Sequence, residues 1–162
     1  MAQTLIPQAS GTRTSNASGR LDKWFDGINN GSTGADTFLS TPTNSLNMRV
    51  DWGSGQDKIV TGFKAYSTND QGFSDSDNPT ETVELWGSTD NFAASAVLLG
   101  SISGTDDTGL ILSKMSGIIT TTAYRYHEIR LSVASNINTL YCVEAEFYQG
   151  VPSGFSQAII CG

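Results

Sequence analysis

The sequence has few charged residues, and basic residues are fewer than acidic ones. Charged side chains make up only 15% of the 162 residues, and nine Lys and Arg stand against sixteen Asp and Glu, which gives a formal net charge of −7. An acidic surface repels phosphate backbones, and the few basic residues are scattered along the chain. This balance excludes nucleic acid from the partners we expect.

Long apolar runs are also missing. No stretch of the sequence approaches the roughly 20 apolar residues that a membrane-spanning helix needs. The first 16 residues lack the basic-then-apolar order of a signal peptide. We therefore expect no membrane insertion, and synthesis in a cytoplasm.

Residue patterns for catalysis are absent as well. The single histidine, His127, lies in the strand-like run "RYHEI" without a Ser or Cys nucleophile motif beside it. Glu144 and Glu146 are two residues apart, a spacing that is typical of one exposed sheet face. Phosphate-loop, zinc-site and EF-hand spacings do not occur. The sequence predicts a protein that is not an enzyme.

The two cysteines, Cys142 and Cys161, are too few for a disulfide framework. One interpretation is that they pair and hold the C-terminal tail. The other is that both are buried free thiols, which a reducing compartment favours.

Short β-branched and aromatic runs fill the middle of the chain and alternate with Gly, Ser, Asn and Asp clusters. This pattern is typical of a sandwich or barrel, and no convincing amphipathic helix competes with it. Two stripes of alternating apolar residues are expected to point inward: Ile129, Leu131 and Val133 in one strand, and Val143, Ala145 and Phe147 in the last. The sequence therefore predicts an all-β fold of antiparallel sheets, each with one wet face.

The composition changes near both ends of the chain. Residues 1–20 are polar and rich in Gly, Ser and Thr, and we expect them to form an extended N-terminal arm. Residues 21–150 are expected to form the sandwich. Residues 151–162 form a C-terminal tail that ends in an apolar cluster.

Four segments occur in a suggestive order: "KWFDGINNGST" (23–33), "MRVDWGSGQDKIVTGFKAYST" (48–68), "VELWGSTDN" (83–91), and "AYRYHEIRL" with "CVEAEFY" (123–131 and 142–148). This order resembles the discoidin or coagulation-factor C-type domains and the related carbohydrate-binding modules. The resemblance covers about residues 22–148. It implies a jelly-roll-like antiparallel β-sandwich of the galactose-binding type.

The chain also departs from the family pattern at two places. The loop between Asp26 and Thr33 is longer than usual, and the strand "AYRYHEIRL" has one extra residue. We expect that extra residue to produce a β-bulge near Tyr126. The segment 87–91, "GSTDN", resembles the family's tight turn after a core strand.

The resemblance further implies a structural Ca²⁺ site that ties the first loop to the last strand. The matching positions are Asp26, Asn29, Thr33 (or Ser32) and Glu144. Carboxylate, hydroxyl and carbonyl oxygens are ligands that Ca²⁺ prefers. The alternative is that Asp26 only caps its own turn.

A sugar site is implied in the loops at one end of the sandwich, because a flat sheet face would offer no concave pocket. Such a site needs an aromatic face and polar side chains that bond hydroxyls. The candidates are Trp24, Asn29 and Asn30 in the first loop, Asp70, Phe73 and Asp75 in "STNDQGFSDSDNP", and Arg125 and His127 if their face turns outward. The alternative for Trp24 is that it plugs the end of the sandwich.

Together these features favour a non-catalytic binding module. We expect a bacteriophage virion surface protein, either a capsid decoration protein or a tail component, that recognises cell-surface glycans. The arm and the tail would contact other virion proteins, and the module would be a homo-oligomer or present in many copies. The alternative is a purely structural assembly or decoration subunit with no sugar ligand.

Overall fold

The computed structural model describes residues 3–7, 10–16, 21, 25, 27, 38–40, 45–67, 73, 80–105, 112–116, 118, 120–133 and 140–150. This described part is all-β, as predicted, and contains no helix of the length and apolarity needed to span a membrane. Its eleven strands are β1 (Thr4–Leu5), β2 (Thr12–Ser15), β3 (Phe38–Ser40), β4 (Ser45–Asp51), β5 (Gly62–Tyr66), β6 (Thr80–Ser88), β7 (Val97–Thr105), β8 (Leu112–Ser116), β9 (Tyr126–Val133), β10 (Leu140–Cys142) and β11 (Glu144–Gln149).

The strands form two main antiparallel sheets. The five-stranded sheet has the order β2-β4-β9-β6-β7, and the four-stranded sheet has the order β1-β11-β5-β8. A short third pair joins β10 to β3. The hydrophobic core combines side chains of both main sheets, such as Val50 and Leu131 from the first and Phe63 and Phe147 from the second. The two sheets therefore face each other as a sandwich.

Strict alternation decides which residues of each strand face the core. In β4, Leu46, Met48 and Val50 are fully buried, while the residues between them are half-buried on the outer face. The stripe of β9 (Ile129, Leu131, Val133) and the stripe of the last strand (Val143, Ala145, Phe147) are buried as predicted. The period of two thus places the core correctly in β9. In the last segment the structure also buries Cys142 and Glu144, which the alternation places on the exposed face, because the chain is divided at residue 143 into β10 and β11.

The N-terminal segment belongs to both sheets. Strand β1 pairs with β11, and β2 pairs with β4. Between them lies Ile6, whose side chain is in the core and whose N–H donates to the carbonyl of Phe147 at 2.8 Å. Residues 3–7 and 10–16 are therefore part of the sandwich, which corrects the expectation of an arm outside it. The boundaries at 20 and 150 stay predictions, and the tail lies outside the described residues.

An aromatic cluster fills the core near the start of β9. The ring centroids of Phe25, Trp52 and Phe147 lie 5.5–6.4 Å apart, and His127 packs against Trp52 and Phe147. The Trp52 Nε1–H donates to His127 Nδ1 at 2.8 Å, so the imidazole is neutral with its proton on Nε2. Burial lowers the pKa of His127 to about 3.

Cys142 is a free thiol in the core, which confirms the second interpretation for this cysteine. Burial raises the pKa of the thiol to about 12. A protonated thiol of this kind is unreactive, and Cys142 acts as a small apolar side chain. Cys161 lies outside the described residues.

Substitutions of two adjacent residues test whether the N-terminal segment is part of the core. Ile6→Ala should lower the free energy of unfolding by about 2–5 kcal/mol, because it empties a core position. Leu5→Ala, at an exposed position, should change it by less than about 0.5 kcal/mol. Urea denaturation of both variants measures the difference. Equal, small effects would show that the segment is not part of the core.

The buried histidine makes stability depend on pH. The pKa of His127 is lower in the folded chain than in the unfolded chain. Between pH 6.5 and pH 3 the histidine is therefore protonated in the unfolded chain and neutral in the folded chain. Stability is therefore lost as pH falls through this window, by about 2 kcal/mol at pH 5 relative to pH 7 for this group. His127→Gln, which does not titrate, should flatten the pH dependence of urea unfolding between pH 7 and 5. An unchanged slope would contradict this role.

Candidate functional site

The outer face of the five-stranded sheet carries rows of polar side chains. The pairing register aligns Thr14, Arg49, Glu128, Trp86 and Leu98 in one row that crosses all five strands. Cross-strand partners lie about 5 Å apart, and rows two residues apart face the same side of the sheet. Residues that are distant in the sequence are thereby brought into one surface.

A groove of about 490 Å³ lies on this face, over β2, β4 and β9. This finding corrects the expectation that the sheet face offers no concave pocket. Its lining is polar with one aromatic ring, and consists of Thr12, Thr14, Ser15, Asn16, Asn47, Arg49, Asp51, Asn91, Tyr126 and Glu128. The volume lies within the range of ligand-binding clefts.

Glu128 forms the floor of the groove. Its side chain is only 1% exposed, and it lies between two arginines. Arg49 Nε donates to Glu128 Oε2 at 2.8 Å, and Arg130 Nε donates to Oε1. A buried carboxylate is costly unless it is paired and hydrogen-bonded. The two guanidinium groups meet that need, and in return Glu128 fixes their orientation.

Aromatic rings and arginines alternate on the outer sheet face next to Arg49, which lines the groove. The Arg130 guanidinium lies 4.2 Å from the centroid of Trp86 and 5.7 Å from that of Phe92, and the Arg49 guanidinium lies 4.4 Å from Phe92. The Trp86 Nε1–H donates to Glu84 Oε2 at 2.8 Å. Contacts of this kind hold long side chains in place. We call these four side chains, Trp86, Arg130, Phe92 and Arg49, the aromatic–arginine stack.

Only the second half of the "GSTDN" segment leaves the sheet: Gly87 and Ser88 belong to β6, and the connection to β7 spans residues 89–96 instead of a tight turn at 87–91. This connection contributes Asn91 to the groove. Asn91 and Phe92 follow each other with φ of 59° and 63°. The left-handed region is uncommon for non-glycine residues and rare for a bulky one. Ser88 Oγ accepts the Phe92 N–H at 2.9 Å and stabilises this conformation. Backbone strain of this kind occurs often at binding sites.

The turn places a polar side chain at the rim of the groove. The Asn91 side-chain oxygen accepts a hydrogen bond from Arg49 Nη1 at 2.8 Å. Asp90 accepts hydrogen bonds from Ser95 and Ser88, which hold the pKa of Asp90 to about 2, below its ordinary value. The turn is therefore anchored on both sides, and Asn91 is held in position before any ligand arrives.

At the other end of the groove, Arg125 and Asp51 form a two-fold ion pair. Arg125 Nε and Nη2 donate to the two oxygens of Asp51, both at 2.8 Å. The hydrogen bond from Arg125 lowers the pKa of Asp51. The same guanidinium lies 4.9 Å from the centroid of Tyr126. Arg125 was a predicted sugar contact, and it contacts two residues that line the groove.

Two of the predicted sugar contacts, Phe73 and His127, are wrong. Phe73 is 1% exposed and belongs to the core, and His127 is fully buried. His127 faces inward because its cross-strand partner is the buried Val50. Neither side chain can reach a ligand at the surface. Trp24, Asn29, Asn30, Asp70 and Asp75 lie outside the described residues and stay predictions.

Of the predicted Ca²⁺ ligands, the structure describes Glu144. This carboxylate is fully buried, and its Oε2 accepts the Gly27 N–H at 3.1 Å. The first loop and the last strand thus meet where the resemblance implies. Within the described ranges no three His, Cys, Asp or Glu residues cluster as a metal site. Asp26, Asn29 and Thr33 lie outside those ranges.

Comparison with known proteins identifies the type of fold. No family profile and no curated protein matches the sequence. Among solved structures, the family 32 carbohydrate-binding module of Clostridium perfringens NanJ in complex with galactose covers 91% of this chain and 100% of its own, with a TM-score of 0.62 and 13% identity. The CBM62 of Clostridium thermocellum Xyl5A covers 90% and 97%, with a TM-score of 0.60 and 20% identity.

A fucolectin from striped bass (Morone saxatilis) serum matches 90% of this chain with a TM-score of 0.67 and 19% identity. This chain spans 49% of that lectin. At such low identities the likeness concerns the fold. The chain therefore has the galactose-binding-like β-sandwich fold that its sequence motifs predicted.

Proposed function

We propose that this protein is a non-catalytic carbohydrate-binding module that binds glycans in the groove of the five-stranded sheet. The observation that carries the proposal is the groove itself, an open concavity of about 490 Å³ with a polar lining. The similar folds of the galactose-bound module from NanJ and of the fucolectin support it.

The groove offers the two kinds of contact that a sugar needs. Asn47 and Asn91 line it with amide groups that can donate and accept, and Arg49 and Asp51 add charged partners for hydroxyls. The ring of Tyr126 offers an apolar face for the C–H surface of a pyranose. Because most of these groups are already fixed by contacts within the protein, little side-chain entropy is lost on binding.

The same geometry does not favour glycoside hydrolysis. That reaction needs one carboxyl group whose pKa is raised, so that it can donate a proton, beside another that stays ionised. The pKa of Asp51 is instead lowered by Arg125. Glu128 is enclosed by Arg49 and Arg130, which leaves its two oxygens engaged.

Substitution of the groove tyrosine tests the proposal. Tyr126→Ala should weaken binding on a glycan array by about tenfold, the effect of losing roughly 1.4 kcal/mol of stacking. Tyr148→Ala is the matched control, since Tyr148 is also half-buried but lies on the four-stranded sheet. Binding that is unchanged by Tyr126→Ala would place the sugar elsewhere, and a wild-type protein that binds no glycan would overturn the proposal.

The proposal includes a structural Ca²⁺ ion between the first loop and the last strand. What supports it is the buried Glu144 carboxylate beside the Gly27 backbone. Oxygen ligands from Asp26, Asn29 and Thr33 would complete the set, and the ion would tie the loop to β11.

Calcium should therefore raise the melting temperature of the wild-type protein. The stabilisation should be about 2.7 kcal/mol when Ca²⁺ exceeds its dissociation constant a hundredfold. Glu144→Gln should remove most of this rise, whereas Glu146→Gln, two residues along the same strand, should keep it. A wild-type melting curve that is insensitive to a chelator would remove the ion from the proposal.

A finer part of the proposal is that the module is displayed on a bacteriophage virion, in many copies and in contact with other virion proteins. A shallow groove with one aromatic ring binds a single sugar chain weakly. Useful attachment to a cell surface then needs many copies acting together, which a virion supplies. The alternative is a decoration subunit without a sugar ligand. In that case the groove would bind no glycan.

Immunogold labelling tests the virion role directly. Antibodies against the isolated protein should label intact phage particles at many positions on one structure, the capsid or the tail. Particles that contain the protein but bind glycans no better than particles without it would favour the decoration subunit. Particles that lack the protein altogether would contradict the virion role.

A further inference from the structure

We infer that the groove holds an internal stretch of a linear, uncharged polysaccharide chain rather than a single terminal sugar. The inference rests on the proposed function and goes beyond it, because it names the class of glycan and the way it lies on the protein. Three features of the groove carry it: its length, the distribution of its polar groups, and its charge.

The groove follows the direction of the strands. Asn47, Arg49 and Asp51 of β4 all line it, and they occupy alternate positions on one face. Four steps along an extended strand lead from the first to the last, a distance of roughly 13 Å. This length exceeds a single pyranose ring, so one sugar would leave part of the groove unused.

Groups that can bond hydroxyls stand along the whole length. Asn47 marks one end, Arg49 and Asn91 the middle, and Asp51 and Tyr126 the other end. A ligand that engages all of them must extend from one end of β4 to the other. A chain of sugars does so, and each added unit gains contacts until the groove is filled.

The charges of this face are balanced within it. Asp51 is paired with Arg125, and Glu128 is paired with Arg49 and Arg130. A third acid on this face, Glu84, is the cross-strand partner of Arg130. In this described set three arginines accompany three carboxylates, on a protein whose net charge is −7. An acidic chain would be repelled at long range without gaining a free cation in the groove.

The groove is also formed in advance. Among its lining residues, Asn91 is held over the sheet by its hydrogen bond with Arg49, and Arg49 is itself held by Glu128. Since its walls do not need to be ordered by the ligand, affinity should depend on how much of the groove is filled. This dependence makes chain length the variable to measure.

Titration calorimetry with sugars of increasing length tests the inference. The probes are galactose, mannose, xylose and glucose, the linear oligosaccharides of each, and the soluble polymers galactan, mannan, xylan and glucan. Polygalacturonate is the acidic counterpart. For at least one neutral series the affinity should rise at least tenfold from the monosaccharide to the longer oligosaccharides and then level off. It should change little between about 50 and 500 mM NaCl, since no charge is neutralised.

Two variants connect that result to the groove. Thr14→Trp should block it and lower the affinity for the longer chains at least tenfold, because Thr14 lines its centre. Ser101→Trp is the matched control, as Ser101 is an exposed residue on the opposite edge strand of the same sheet. Its affinity should equal that of the wild-type protein.

Three results would overturn the inference, and they differ in whether the proposed function also fails. A monosaccharide that binds as tightly as its polymer would show terminal recognition and would leave the proposed function intact. Tighter, salt-sensitive binding of polygalacturonate would show an acidic ligand, again with the proposed function intact. Absence of binding to every probe, together with a blank glycan array, would remove both.

Discussion

The carboxylate of Glu128 is the point on which the outer sheet face depends. It is nearly fully buried on the face that strand alternation assigns to solvent, because Arg49 and Arg130 lie across it. Without this carboxylate the two guanidinium groups would repel each other, and neither would be held against Phe92. Removal of one partner from a buried ion pair is strongly destabilising. The aromatic–arginine stack, and with it the positions of the lining residues Arg49 and Asn91, therefore depends on one side chain.

This arrangement links the fold to the site. The inner faces of the sheets supply the stability of the sandwich, and the outer face of one sheet is left free for polar groups. The connection at 89–96 links the two, since it follows a strand of the core, places Asn91 at the groove and packs Phe92 against Arg49. The connection between β6 and β7 therefore has a second role at the surface.

The sequence predicted the fold well, because an all-β pattern and inward stripes such as Ile129 and Leu131 follow from local alternation. It predicted the site poorly. The interruption expected near Tyr126 is present, but as a bend at Arg125 rather than a bulge inside the strand: Tyr124 is buried, whereas Arg125 and Tyr126 are both half-buried. From Tyr126 onward β9 pairs with β4 in unbroken register, and a second irregularity lies between Leu85 and Trp86. The polar neighbours of Phe73 predict a surface position, yet its side chain is buried in the core. The groove depends on cross-strand register, which no single segment encodes, although the polar alternation of "NMRVD" and "YHEIR" already marked its two central strands.

The most direct test of the account is to map the bound sugar by NMR. Backbone and side-chain amide signals of the ¹⁵N-labelled protein would be followed during titration with the tightest-binding neutral oligosaccharide. The account predicts shifts centred on Asn47, Arg49, Asn91 and Tyr126, the residues of the groove. Shifts confined to residues 23–33 and 69–79, with none on the sheet face, would show that the loop end binds the sugar and would contradict the account.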